Sequence, residues 1–544
     1  MRFGLCLVVF LLSAAQTGAQ DILVFGQQIS GDIAAGASHT YTFTAAAGDV
    51  VAGPVELLGP DGRVQFLDNA NGAVSGTRIK GFYLGGTASR RVGFAAPTSG
   101  NYQIRITAIG NRAGAYSLRM DRQPVGARMR GVSTTPKVVN TSARIQQLER
   151  DVTSGARIAV DAFWREVEGK GPLVESVKGR EDEQLVTFIW REIFETHNVL
   201  VGWPMAVFRG DDYYMTHVPN TDVWYKTIQI RRGSRFSYWL APNYRNGDFL
   251  FTARLDPLNP LVFPDDSGSF VDVNSVLDTP GAPDAQWYSR TPVKRGTVAT
   301  SRFNSETLKN GRDMWVYTPP GYSRTAAALP LLVLFDGSSY VDAGSNNATT
   351  TLDNLINDGR IRPVVVCFLN SVNRAVDLGY EGADALGDAI VDELLPRLRA
   401  NYAISTNPRD VTIGGASAGA LAAALIALRH STVFGNVLSQ SGAFRLRASA
   451  TGEPNTIARR YAESTKVPVR FYLETGIYEN FPSAGLPVHE IALDEGITVS
   501  NRHFRDVLLA KGYEVTYSES ATAHEPLHWR ATLAGALMTV LSVK

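Results

Sequence analysis

Cysteine is nearly missing from this chain: 544 residues contain two, Cys6 and Cys367. Cys6 falls inside an opening apolar run that reads as a removable leader. One cysteine then remains, and an internal disulfide is excluded. Cys367 sits in RPVVVCFLN, a buried-strand pattern in which a thiol packs rather than reacts. An excess of either charge is also lacking. Lys and Arg number 53, Asp and Glu 52, and the formal net charge is +1. This balance implies no basic face for nucleic acid or anionic lipid. No apolar run after the first is long enough to span a membrane. A calcium loop is lacking too. DNANG (68–72) resembles its start, but Ile79 stands where a loop opening at Asp68 needs glutamate, so the stretch reads as a plain turn.

What is present begins with MRFGLCLVVFLLSAAQTGAQ: Arg2, an apolar run, then small residues ending in Thr17-Gly18-Ala19. This is the pattern of a secretory signal peptide over residues 1–19, cut after Ala19, and it predicts a periplasmic or secreted protein. The length calls for more than one core. Residues 21–122 carry short alternating runs such as SHTYTFTA and GNYQIRITAIG between glycine turns, which predicts a β-sandwich. Residues 123–154, with scattered Arg, Pro, Ser and Thr, read as a linker, and the stretch ARIQQLERDVTSGARIAVDAFWREVEG looks helical at its end. Residues 155–292 are again strand-rich, with LVTFIWRE, TDVWYKTIQI and RFSYWLAP. A second sandwich is expected there, its tryptophans packing the core.

Residues 293–544 change character. LPLLVLFDG, RPVVVCFLN, RDVTIGGAS, VPVRFYLETG and YEVTYSES alternate with helical stretches. Strands alternating with helices predict βαβ units and a mostly parallel sheet covered on both faces. The fold class is therefore an α/β-hydrolase domain preceded by two β-sandwiches.

The third of these strands runs straight into Gly415-Ala416-Ser417-Ala418-Gly419 and then into the helix-forming run ALAAALIALRH. A strand that turns at once into a helix strains its middle residue and exposes it. Small neighbours two positions away on either side let the flanking backbones approach. Ser417 is the predicted nucleophile. The helix start supplies a positive dipole and the N–H of Ala418 as one oxyanion donor. The second donor should come from the loop after LLVLFDG, from Gly337 or, by preference, Ser338.

A nucleophilic serine needs a base and an orienting acid, and in this fold both follow it in the chain. His430 ends the helix that begins at Ser417. His503 lies in a helical run, and His489 in a loop. His524 follows the last strand, in the loop before a terminal helix, and is the predicted base; His528 falls inside that helix. The acid should follow the preceding strand, which selects Glu479 with Asp494 in reserve.

These segments resemble the enterochelin (ferric enterobactin) esterase family. The resemblance rests on LLVLFDGSSY, TLDNLINDGRIRPVVVCFLN, GGASAGALAAALIALRHSTVFGNVLSQSGAF and HEPLHWR. FWREVEGKGPLVE, LVTFIW and TDVWYKT are similar to the domain preceding the hydrolase in that family. The wider group of feruloyl and acetyl esterases is similar as well. Residues 21–122 resemble pre-peptidase C-terminal-like domains, which implies an accessory role in binding or secretion. The resemblance places nucleophile, acid and base on Ser417, Glu479 and His524, and implies hydrolysis of carboxylic esters without a catalytic metal. No cofactor is expected. The expected partner is a small-molecule or oligosaccharide ester, with a siderophore trilactone as the family's example.

Three departures fall near the expected cleft. ATAHE stands where the family tends to have two glycines before its histidine. AFRLR follows SQSG in place of an aromatic pair. The family's Arg-x-x-Glu-Leu segment reads Arg374-Ala375-Val376-Asp377-Leu378. Arg374, Arg445 and Arg447 are accordingly candidate substrate-binding residues. A feruloyl- or acetyl-type carbohydrate esterase is one competing reading. A binding protein on a hydrolase scaffold is another. An ordered Ser, Glu and His favour an enzyme.

Overall fold

The computed structural model describes residues 21–542 except 60, 71–72, 80–87, 110–111, 137, 139–140, 156–157, 203–212, 246–248, 265–272, 450–451 and 480–495. The leader segment lies outside the described residues, as do His489 and Asp494. The chain divides into two compact units, residues 1–128 and 129–544.

In the first unit, one sheet runs in the order Asp21–Ile22, Ser38–Ala45, Gly100–Ile109, Asp61–Leu67, Ala73–Ile79. The other runs Asp121–Gln123, Val50–Leu58, Gly114–Arg119, Gln28–Ile33, with Ala88–Ala95 also paired to Val50–Leu58. Alternation fixes which side chains face inward. Tyr102, Ile104 and Ile106 are buried, and they share one core with Val51, Val55, Phe94 and Leu118 of the other sheet. The last strand, Asp121–Gln123, and the turn of helix Val125–Arg128 carry this unit a few residues past the boundary expected at 122.

The second unit opens with a correction. Part of the expected linker is a packed helix, Ala143–Thr153, capped by the Ser142 hydroxyl on the Ile145 N–H at 3.1 Å. Ile145 and Leu148, three residues apart on one face, are fully buried against Phe163, Trp164 and Val167. The polar residues between them hid this apolar stripe. Two four-stranded sheets follow. One is Leu173–Val177, Arg180–Arg191, Val223–Arg231, Thr216–His217; the other is Val199–Gly202, Arg235–Pro242, Val273–Asp278, Val262–Pro264. Trp190 and Trp224 lie in the core between them, as expected of tryptophans there.

The third sheet has eight strands: β1 (Thr297–Ser305), β2 (Asn310–Thr318), β3 (Leu331–Phe335), β4 (Val365–Leu369), β5 (Val411–Ala416), β6 (Asn436–Gln440), β7 (Arg470–Gly476) and β8 (Glu514–Ser520). Their order is β1-β2-β4-β3-β5-β6-β7-β8. The β1–β2 and β2–β4 pairs are antiparallel and the rest are parallel. β3 and β4 are apolar throughout because both their faces are covered. Leu331, Val333 and Phe335 face a core shared with α3 (Ala418–Arg429) and α4 (Ile497–Ala510). Leu332 and Leu334 face the opposite core, shared with α2 (Ala348–Asn357) and α5 (Pro526–Val540); the short α1 (Gly337–Val341) follows β3 directly. Cys367 on β4 is buried and unpaired, and burial pushes its thiol up to about 12, so it packs and does not react.

The packed helix is testable. Leu148→Ala should destabilise residues 129–544 by about 2–5 kcal/mol in denaturant unfolding, the cost of a core truncation. A linker residue would cost less than about 0.5 kcal/mol, and a change that small would refute the packing.

Candidate active site

The site is built at the carboxyl ends of β5, β7 and β8. Ser417 occupies the junction between β5 and α3 with φ 57° and ψ −118°, a region that side-chain-bearing residues rarely adopt. Close packing forces the turn and explains its glycines. A Cβ at Gly415 would sit 3.1 Å from the Gly419 backbone, and one at Gly419 would sit 3.2 Å from Phe335 Cβ. The elbow is tied to its neighbour strand at both ends. The Ser417 N–H donates to the Gln440 carbonyl at 2.9 Å, and the Ala443 N–H donates to the Ser417 carbonyl at 3.0 Å.

His524, in the loop between β8 and α5, bridges the other two members. Its Nε2 lies 3.0 Å from Ser417 Oγ and its Nδ1 lies 3.0 Å from Glu479 Oε2. Residues 107 and 45 positions apart in sequence are thus brought into one hydrogen-bonded chain. Glu479 sits in the turn after β7 and is fully buried, not solvated. Its second oxygen accepts the Gly476 N–H and the Ser441 hydroxyl, both at 2.7 Å. Burial alone would raise the pKa of this carboxyl. The His524 hydrogen bond, the two nearby imidazoles and the Ser441 hydroxyl outweigh burial and hold it below the usual carboxylate value.

Several of these supports were not read from the sequence. The Trp529 indole N–H donates to Ser441 Oγ at 3.0 Å, and its ring meets the His524 ring edge-on at 5.2 Å between centroids. His528 is completely buried, with Nε2 at 2.8 Å from Glu474 Oε2, so it lies behind the site. The upstream sheets reach the site as well. Tyr478, beside Glu479, shares a 2.8 Å hydrogen bond with Ser234 and accepts the Arg231 N–H at 3.1 Å. Glu525, beside His524, accepts the Ser237 N–H at 2.8 Å and the Ser237 hydroxyl. Both loops that carry the acid and the base are therefore fastened to residues 231–237. No local sequence signal marks such pairs, which lie more than 240 residues apart.

The oxyanion candidates differ. Ala418 opens α3, where a first-turn N–H has no acceptor within its helix. Ser338 is in α1 at the end of β3, but its N–H already donates to Asn370 Oδ1 at 2.9 Å. To serve an oxyanion it must share or release that carboxamide. Gly337 packs under the same turn, where a Cβ would meet the Phe368 backbone at 2.6 Å.

The three candidate arginines lie in different settings. Arg374 grips Asp336 with two nitrogens, at 2.9 and 2.8 Å, so it braces the turn before Ser338. Asp336 has φ 57°, and this ion pair holds it there. The segment after β6 is not extended. It turns at Phe444–Arg445, with the Leu446 N–H on the Ala443 carbonyl at 3.2 Å, so strand alternation does not set Arg445 and Arg447 side by side. Arg445 is half-buried and Arg447 exposed, with its Nη1 on the Gly452 carbonyl at 2.8 Å. His430 and His503 lie away from the serine. His430 ends α3 against Asp388, and His503 is exposed on α4. Among the described residues there is no cluster of ligands for a metal ion.

Comparison with known proteins defines the class. Residues 305–540 match the family model described as putative esterase, and the chain is a carboxylic ester hydrolase with an α/β-hydrolase domain. Residues 185–288 match the model of the enterochelin esterase N-terminal domain. The two matched segments stand in the order N-terminal domain, then esterase, and the chain is similar to proteins named as enterobactin esterases. An iron(III) enterobactin esterase of Dickeya dadantii is 25% identical over 437 residues, 70% of this chain and 92% of that protein. One from Escherichia coli O6:H1 is 31% identical over 255 residues, 42% of this chain and 60% of that protein. The crystal structure of the Shigella flexneri enterobactin esterase in the presence of enterobactin shares the fold. Its TM-score is 0.56 at 24% identity, covering 70% of this chain and 97% of that one.

The fastening of the histidine loop can be tested. Glu525→Ala should lower kcat for ester hydrolysis about tenfold, the equivalent of about 1.4 kcal/mol in the barrier, with little change in KM. An unchanged kcat would show that the loop keeps its place without the upstream sheet.

Proposed function

We propose that this chain is an exported serine esterase that cleaves the ester bonds of a catecholate siderophore trilactone through an acyl-enzyme. The observation that carries the mechanism is the bridging of Ser417 and Glu479 by one imidazole at 3.0 Å on each side. The substrate class rests on the relatives, which are named as enterobactin esterases. Export rests on the leader pattern at residues 1–19, and the strand-rich region at 21–122 is read as an accessory sandwich. Residues 155–292 are read as a second sandwich and 293–544 as the catalytic domain.

In this reading Ser417 Oγ attacks the ester carbonyl while its proton passes to His524 Nε2. Glu479 holds the Nδ1–H and stabilises the imidazolium that forms. Negative charge on the carbonyl oxygen is met by the Ala418 N–H and, once freed from Asn370, the Ser338 N–H. The tetrahedral adduct collapses, the carbon–oxygen ester bond breaks, and the leaving alkoxide takes the proton from His524. Water then repeats the sequence on the acyl-enzyme, releasing the acid and restoring Ser417. Arg374 acts on this step through Asp336 and the turn that presents Ser338.

Ser417→Ala should fold normally and lose on the order of 10⁴-fold in ester turnover. It should also fail to react with a labelled fluorophosphonate, which needs an activated serine. Near-native turnover by the pure variant would overturn the mechanism. A screen of enterobactin, feruloylated sugars and short acyl esters tests the substrate, and preference for the feruloyl esters would replace the siderophore.

Arg445 and Arg447 are proposed to favour acidic or catechol-bearing substrates, since both follow the segment that hydrogen-bonds the Ser417 backbone. Replacing both by alanine should raise KM for catechol esters about tenfold and leave neutral short-chain esters alone. An equal effect on both substrate types would remove the arginines from the specificity site.

A further inference from the structure

Behind the site lies a second histidine enclosed by carboxylates. His528, Glu474 and Glu479 are each at most 1% exposed. The His528 Nε2 is 2.8 Å from Glu474 Oε2 and 3.7 Å from Glu479 Oε1. Its Nδ1 is 2.6 Å from Thr522 Oγ1 and 3.5 Å from Ser520 Oγ. Glu474, on β7, also accepts the Thr532 hydroxyl at 3.1 Å. Tyr340 and Tyr472 are phenols near Glu474 that burial keeps protonated, and Glu525 is a third carboxylate facing His528 from the start of α5. Among the described residues, the groups within ion-pair distance of Glu474 and Glu479 are the imidazoles of His524 and His528.

Two carboxylates cannot both stay ionised in a dry interior unless a cation stands between them. Without one, the pair shares a proton, as neighbouring carboxyl groups do elsewhere. A proton resting on Glu479 would turn the acceptor of the His524 Nδ1–H from an anion into a neutral acid. We propose that His528 is a positioning residue, an imidazolium that balances Glu474 and Glu479 and so keeps Glu479 anionic against His524. The inference rests on the serine mechanism proposed above. It adds that the orienting acid depends on a second base that does not touch the nucleophile. Burial alone would push the pKa of His528 down. Glu474, with Glu479 and Glu525 behind it, outweighs burial and raises it.

The experiment is a pH profile of kcat/KM on a soluble carboxylic ester, for the full chain and for His528→Gln, Glu474→Gln and the double variant. Removing the cation alone leaves two negative charges beside His524, or a proton trapped between them, and either delays the active state to higher pH. His528→Gln should therefore move the acid limb up by about one pH unit or more. The double variant, which removes one charge of each sign, should bring the limb back to the wild-type position. An unmoved limb in His528→Gln, or a double variant no better than the single, would overturn the proposal and leave His528 as packing.

Should His528→Gln fail to fold, ¹⁵N-histidine spectra of the unmodified protein decide the matter. His528 should appear as an imidazolium at pH 7, and a neutral His528 at that pH would overturn the proposal. Ser417→Ala is run in parallel. If that variant keeps turnover, the serine mechanism has failed, and the spectra still report the charge on His528.

Discussion

A carboxylate taken wholly out of water organises this molecule. Glu479 has no exposure, yet its carboxyl is held on the ionised side. An unpaired buried charge would cost several kcal/mol, so every group around it is constrained. The Gly476 N–H must point inward. This requires a glycine, because a Cβ there would meet the Thr522 carbonyl at 2.3 Å. The Ser441 hydroxyl must donate, and Trp529 fixes that hydroxyl from behind. His524 must present Nδ1–H to the carboxylate, which leaves Nε2 to face Ser417. Which imidazole nitrogen faces Ser417 is thus decided at a residue that does not touch the serine.

A separate set of contacts lets the strained serine persist. A non-glycine residue at φ 57° and ψ −118° stores unfavourable backbone energy, and only surroundings that over-determine the turn keep it there. Here the determinants are the β5–β6 pairing, the Ser417 and Ala443 backbone bonds, and the close approach of α3 to Phe335. Asp336, on the neighbouring turn, is also left-handed and is held by Arg374. Two strained turns face one another at the carboxyl ends of β3 and β5, each braced by its own polar contacts.

Much of this could be read from local pattern, and what could not has a physical cause. Apolar runs such as LLVLF and VVCFL announce buried parallel strands because both their faces are covered. The β1–β2 hairpin and β6 were missed. Residues 297–305 are largely exposed, and NVLSQ buries Asn436, Ser439 and Gln440, so neither carries an apolar signature. The serine elbow depends on five consecutive residues and was legible. Glu479 and His524 could be chosen by their place after strands, since the fold supplies that position. Glu474 lies inside a strand and His528 inside a helix, and their pairing across 54 residues leaves no trace in spacing. The helix at 143–153 looked like a linker because its apolar residues are few, although each is well placed.

The fastening at residues 231–237 carries a consequence for how the catalytic unit is bounded. The hydrolase sheet contributes the serine outright, but it holds the acid and base loops only from one side. Their other side is a strand that precedes the sheet by more than fifty residues and belongs to a different core. A functional boundary drawn where the hydrolase fold begins would cut through the active site's own scaffolding. A change at Ser234, in the loop after Val223–Arg231, acts through Tyr478 on the turn that carries Glu479, and a change at Ser237 acts through Glu525 on the loop that carries His524.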